Sequence, residues 1–152
     1  MSIDRFDVAI LRALQADSDQ THAKIGEQIH LSASQVSRRR TALEKLGLIS
    51  GYGAKLDPQA LGFGLRAITR VNLRSHGEDT AAAFARFLER HGIVRTAWSV
   101  SGDADYVLHI ETRTLADFAE FVHRELLPHP QVAQVRSEIV LTTVKDDKGL
   151  PI

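Results

Sequence analysis

Residues 31–49 read LSASQVSRRRTALEKLGLI, and three consecutive arginines stand in the middle of what reads as a short helix. A helix turns about 100° per residue, so Arg38, Arg39 and Arg40 cannot share one job. On a helical wheel of residues 34–46, Val36, Leu43 and Leu46 form one apolar stripe. The opposite face holds Ser34, Ser37, Arg38, Thr41 and Lys45, short hydrogen-bonding side chains around two long cations. Such a face suits a recognition helix: Ser and Thr approach closely, Arg grips a guanine edge with two hydrogen bonds, and Lys holds phosphate. Arg39 and Arg40 flank the stripe. Their stems can cover apolar surface, and Arg39 is placed to pair with an acid of the first helix. Gly47 fits the position that follows a helix C-terminus.

Working outward, residues 3–49 read as three helices. Phe6, Ile10 and Leu14 recur every fourth residue, with Asp4 as N-cap and Asp7 completing a capping box. THAKIGEQI (21–29) follows, capped by Thr21, and the third helix runs from about Ser34 to Leu46. Two short helices joined by a few residues form a helix-turn-helix. LISGYGAKL (48–56) reads as an extended, glycine-kinked wing, and DPQALGFG (57–64) as a linker.

From Leu65 the rhythm alternates between strand and helix. LRAITRVNL (65–73) has period two. Residues 79–91 read as a helix with Ala81, Phe84, Phe87 and Leu88 inward. VRTAWSV (94–100) reads as a strand with Val94, Thr96, Trp98 and Val100 on one face, and Trp98 is expected in the core. SGDAD (101–105) is a turn, and Tyr106–Thr112 the next strand. Thr114 caps a helix to about Leu127 with Leu115, Phe118, Val122 and Leu126 inward, and QVAQVRSEIVLTTVK (131–145) closes as a long strand. The fold class is therefore α+β. A winged helix-turn-helix (1–53) and a linker (54–64) precede a ferredoxin-like βαββαβ domain (65–152). Two helices cover one face of a four-stranded sheet, so the other face is expected to pair with a second copy.

The chain has 152 residues with 19 basic and 19 acidic side chains and no cysteine, which excludes disulfides and cysteine-based zinc sites. With zero net charge, any nucleic-acid surface must be local. Residues 34–46 supply one: four basic residues against Glu44, a net +3. No apolar stretch is long enough for a membrane span, and the acidic start does not resemble a signal peptide, so a cytoplasmic location is expected. The seven histidines are dispersed. His123 and His129 bracket a helix end without acids at ligand spacing, so no metal or cofactor is expected. No nucleophile–base pair or phosphate loop appears, so catalytic residues are not expected either, although ferredoxin-like domains host many reactions.

Taken together, these stretches resemble the Lrp/AsnC, or feast/famine, transcriptional regulators. IDRFDVAILRALQADSD, IHLSASQVSRRRTALEKLGLISGYGAKLDPQALG, VSGDADYVLHI and the ending VLTTVKDDKGLPI follow the family's patterns in order, across nearly the whole chain. The resemblance implies a regulator of double-stranded promoter DNA that responds to an amino acid or related metabolite. It also implies homodimers that assemble further, often as a tetramer of dimers. It places DNA contact on Ser32, Ser34, Gln35, Ser37, Arg38, Arg39, Thr41 and Lys45. SGDAD alone reads as a hairpin turn; the resemblance makes Ser101, Gly102, Asp103, Asp105 and Tyr106 an effector site, with Glu138 and Val140 at effector-response positions. Two residues depart from the family pattern. Arg40 stands where an apolar residue is usual, and His30 stands where Gly is usual, in a turn that calls for positive φ. The rival reading is an oligomeric small-molecule sensor that does not touch DNA.

Overall fold

The computed structural model describes residues 3–152. It divides into two compact units: the chain up to Lys55 together with Val144–Ile152, and Leu56–Thr143.

The first unit holds α1 (Arg5–Ala16), α2 (His22–Ile29) and α3 (Ala33–Lys45). Ile10, Leu14, Ile25, Val36 and Leu43, spaced by helical turns, make its core. The α1 start is the anticipated capping box: Asp4 Oδ1 accepts the N–H groups of Phe6 and Asp7 at 2.8 and 2.9 Å, and Asp7 Oδ2 accepts the Asp4 N–H at 3.0 Å. Thr21 caps α2 by accepting the Lys24 N–H at 3.2 Å. His30 then takes the left-handed conformation, φ 59° and ψ 44°, as the turn between the two helices demands. Gly26 is needed just upstream, since a Cβ there would lie 2.3 Å from the Leu31 carbonyl oxygen.

Ser32 caps α3, so the helix starts at Ala33, slightly before the expected start. Gly47 (φ 72°) ends it in a Schellman turn, with Leu48 N–H donating to Leu43 O and Gly47 N–H to Glu44 O. Leu46 is the cap residue at that point and is 46% exposed, not part of the buried stripe. The wing is also corrected: residues 48–56 form no β-ladder. A strand needs a partner, and the other elements of this unit are helices. The segment Val144–Ile152 packs here too. Gln15 accepts the Leu150 N–H at 2.6 Å and donates to its carbonyl at 3.0 Å, and Arg12 Nε donates to the Ile152 oxygen.

The second unit runs β1 (Leu65–Leu73), α4 (Glu78–Glu89), β2 (Val94–Ser99), β3 (Tyr106–Thr112), α5 (Leu115–Phe121), a π-helical turn (Val122–Leu126) and β4 (Val132–Ile139). The antiparallel sheet has the order β2-β3-β1-β4, as the βαββαβ reading requires. Ala67, Val71, Leu108, Ile110 and Val132 line its covered face, and Phe84, Leu88, Phe118, Phe121 and Leu126 from the helical segments share their core. Thr69 is fully buried among them and satisfied by Ser137 Oγ at 3.0 Å.

Four expectations change in this unit. The register of β2 shifts between Val94 and Thr96. This bulge leaves Val94 opposite Ile110 on the covered face but turns Thr96 and Trp98 to the other face, where Trp98 is 48% exposed. Leu115, the first residue of α5, is 60% exposed. The closing strand stops at Ile139, opposite Ala67, because β1 has only two more residues before its start; beyond Val140 N–H donating to Arg66 O, Leu141 is open to solvent. The anticipated linker is partly folded: Asp57 Oδ1 accepts the N–H groups of Gln59 and Ala60, and Gly62 (φ 83°) closes the turn.

Candidate nucleic-acid interface and effector cleft

The three arginines of α3 have three environments. Arg39 reaches α1, with Nη1 2.9 Å from Asp4 Oδ2 and 2.8 Å from Asp7 Oδ1, and its guanidinium lies over the Phe6 ring. Accepting the Asp7 N–H, and then bonding Arg39, holds the Asp4 carboxyl below its usual range. Arg40 lies over the Tyr52 ring, 4.5 Å from its centroid, and donates to the Tyr52 hydroxyl at 2.9 Å and Glu44 at 3.2 Å. The Tyr52 hydroxyl in turn donates to Glu44 at 2.7 Å, the main cause of that carboxyl's lowered pKa. This triad ties α3 to the segment that forms no strand. Its Tyr52 partner was not anticipated; an Arg where an apolar residue is usual was the available signal.

Arg38 is exposed and has no ion pair or side-chain hydrogen bond among the described residues. Ser34, Thr41 and Lys45 are exposed around it, and Ser37 is half-buried. Ser32 and Gln35 are engaged with the helix: Ser32 Oγ accepts the Gln35 N–H at 3.2 Å, and Gln35 Oε1 accepts the Ser32 N–H at 2.9 Å. Ser34 Oγ lies 3.0 Å from Ser32 Oγ. The helix therefore presents one free guanidinium and one free ammonium on a hydroxyl-rich face.

The β2–β3 turn separates the residues read from it. Asp105 Oδ2 accepts the Leu73 N–H at 2.7 Å, and the Asp105 N–H donates to Val71 O, which fastens the turn to β1. Tyr106 points to the covered face and packs on Phe84, ring centroids 5.1 Å apart. Asp105 and Tyr106 border a small cavity of about 160 Å³ with His76 and Ser99. Gly102 (φ 125°) makes the turn that L side chains rarely allow. Ser101 and Asp103 instead face a cleft of about 320 Å³ at the turn end of the open sheet face, with Arg70, Asn72, Gln134 and Arg136. Asn72 Nδ2 donates to the Asp103 carbonyl at 2.7 Å, while the Asp103 carboxylate is unpartnered among the described residues. Glu138 lies farther along the open face, 3.7 Å from Arg70, and Val140 lies past the end of β4. The cleft's strand residues were missed, although Arg70 and Asn72 occupy alternate polar positions of LRAITRVNL.

A larger cavity, about 660 Å³, lies in the first unit between α1 and residues 48–55, with Leu150 and Ile152 in its wall. It contains none of the anticipated residues. Among the described residues, no helix is long and apolar enough to cross a membrane.

Comparison with known proteins bears on both sites. Residues 3–44 match the AsnC-type helix-turn-helix domain, and residues 66–150 match the Lrp/AsnC ligand binding domain. The chain is 37% identical over 146 residues to the leucine-responsive regulatory protein of Rhizobium meliloti (strain 1021), covering 96% of this chain and 94% of that one. It is 31% identical over 142 residues to the Bkd operon transcriptional regulator of Pseudomonas aeruginosa, covering 93% of each. A Neisseria meningitidis transcriptional regulator solved as a complex with L-Met superposes with a TM-score of 0.95 at 31% identity, over 99% of this chain and 97% of that one. AsnC of Escherichia coli shares the fold, with a TM-score of 0.87 at 21% identity over 98% of this chain and all of that one.

Proposed function

The chain belongs to the Lrp/AsnC family of transcriptional regulators, and on that premise we propose that it binds double-stranded promoter DNA through α3 and that an amino acid or related small metabolite modulates the binding. The free, exposed Arg38 amid Ser34, Thr41 and Lys45 carries the DNA reading. Arg38 reads a base edge, Lys45 and the hydroxyls hold phosphates, and Arg39 and Arg40 set the pose of the helix through their partners on α1 and at Tyr52. Ser32 and Gln35 act at the helix start, where their capping bonds leave backbone N–H groups near the DNA backbone.

The β2–β3 turn supports the effector half of the proposal, and the L-Met complex of the Neisseria meningitidis relative supports an amino acid as the class. Self-association through the second unit, as dimers and then a tetramer of dimers, supplies paired recognition helices for half-sites. Ile68, Val107 and Trp98 are the apolar residues that the open sheet face offers to a second copy. Gel shifts of the full chain on its own upstream DNA, over a salt series, test the first half: affinity should fall steeply with salt as counterions are released. Salt-independent or absent binding overturns it and leaves the sensor-only reading. A thermal-shift screen of the amino acids tests the second half, since a ligand selective for the folded state raises the midpoint.

A further inference from the structure

Arg70 and Arg136 are direct register partners on β1 and β4, on the open face of the sheet. Like charges so placed repel. Arg66, on the same face, is neutralised by Glu111, whose Oε1 accepts from Nη2 at 2.8 Å and Nε at 3.0 Å. Arg70 is held more loosely: its Nε pairs with Glu138 Oε1 at 3.7 Å, beyond hydrogen-bond length, and both side chains are open to solvent, where such a pair is weak. Arg136 has no ion pair or side-chain hydrogen bond among the described residues. Both line the 320 Å³ cleft, and the unpartnered Asp103 lines it with them. Asn72 fixes the Asp103 backbone, so the carboxylate stands on a held turn.

The cleft thus offers two cations and one anion. A ligand with two carboxylates and one ammonium complements that array. A neutral amino acid answers one guanidinium only and leaves Arg70 with the long Glu138 contact. The floor of the cleft is polar, Arg70, Asn72, Gln134 and Arg136, and its apolar lining is confined to Val100 and Ala104 at the turn, little wall for a long aliphatic side chain. We propose that this cleft takes an acidic α-amino acid, L-glutamate or L-aspartate, with its carboxylates on Arg70 and Arg136 and its ammonium on Asp103. The inference rests on the reading that the effector is an amino acid. It adds the class, and it moves the recognition of charge from the turn to the two strands beside it. Glu138 yields Arg70 to the ligand, because guanidinium and carboxylate at hydrogen-bond distance form the stronger, forked pair.

Calorimetric titration of the full chain with L-glutamate, L-aspartate and the remaining standard amino acids tests it. One of the two acids should bind at least about tenfold more tightly than its amide, since a charge-assisted pair is lost with the amide. Arg136→Gln, at an exposed position, should keep the circular dichroism spectrum and bring the acid down to its amide. A neutral amino acid that binds as tightly as both acids overturns the inference and leaves the amino-acid reading standing. An unchanged acid affinity in Arg136→Gln overturns the placement in this cleft. Failure of every amino acid to bind overturns both readings together.

Discussion

The proposed recognition helix and the proposed effector cleft are built in opposite ways. All candidate contacts of α3 lie on one continuous helix, so the helical period alone sorts them by direction. The cleft collects Arg70 from β1, Asp103 from a turn and Arg136 from β4, brought together by the sheet register and by the bond of Asn72 to the Asp103 carbonyl. On α3 the free group is conspicuous because its neighbours are occupied: Arg39 by two carboxylates, Arg40 by Tyr52 and Glu44. In the cleft the reverse holds. Arg66 is firmly occupied, Arg70 only loosely by Glu138 and Arg136 not at all, and the meaning lies in the adjacency of the last two. A site on one element can be read one residue at a time; a site spanning three elements is read from what stands opposite what.

Arg38→Ala gives the largest expected effect and is the sharpest way to break this comparison. A bidentate base contact contributes roughly 1–3 kcal/mol, and a dimer uses two, so promoter affinity should fall at least about thirtyfold. The fold should be untouched, because the side chain is exposed. A gel shift with unchanged affinity would mean that α3 is not the reading helix.

Next comes the pair of aspartates in the turn. Asp105→Ala leaves the Leu73 N–H, on a buried residue, without its acceptor, so the second unit should lose roughly 1–3 kcal/mol. Asp103→Ala should leave stability within about 0.5 kcal/mol while weakening the effector. Denaturant titrations separate the two; equal losses would show that the turn acts as one structural piece. Smaller still is Arg39→Ala. Its ion pairs are partly exposed, 29% for Arg39 and 48% for Asp4, so screening holds the loss to about 1 kcal/mol or less and the drop in DNA affinity to about fivefold or less. A drop matching that of Arg38→Ala would place Arg39 on the DNA.

What the sequence disclosed follows the same division. The α1 capping box, the helical stripes, His30 in the left-handed region and the partnership of Arg39 with α1 are local or depend on one helix face. Trp98 was misread because a bulge at Arg95 reverses the faces of β2, and alternation cannot register an extra residue. The end of β4 and the whole strand of the wing were misread for another reason: β-propensity shows what a segment can do, while pairing requires a second strand. The family resemblance grouped Asp105 and Tyr106 with Asp103, and strand alternation and the bond to Leu73 turn those two to a different cavity.

The smallest predicted effect separates the two units along the pH axis. Burial holds His109 and His129 below the usual imidazole value of 6.5; for His109 it outweighs the pull of Glu111, whose Oε1 is 3.5 Å from Nε2. His129 sits against the Phe84 and Phe87 rings. A lowered histidine binds fewer protons folded than unfolded, so its contribution is complete above 6.5 and is lost as pH falls through the lowered value. In the first unit the lowered groups are carboxyls, Asp4 from 3.8 and Glu44 from 4.5. Their contribution is complete above those values and is lost only in stronger acid. Between about pH 7.5 and pH 5.5, therefore, the second unit should weaken while these groups leave the first unit unchanged. The single tryptophan, Trp98, belongs to the second unit, so its fluorescence follows the affected part during thermal unfolding. The midpoint should fall over that interval, and His109→Gln with His129→Gln should flatten the slope. A slope that survives both substitutions would assign the acid sensitivity to other groups.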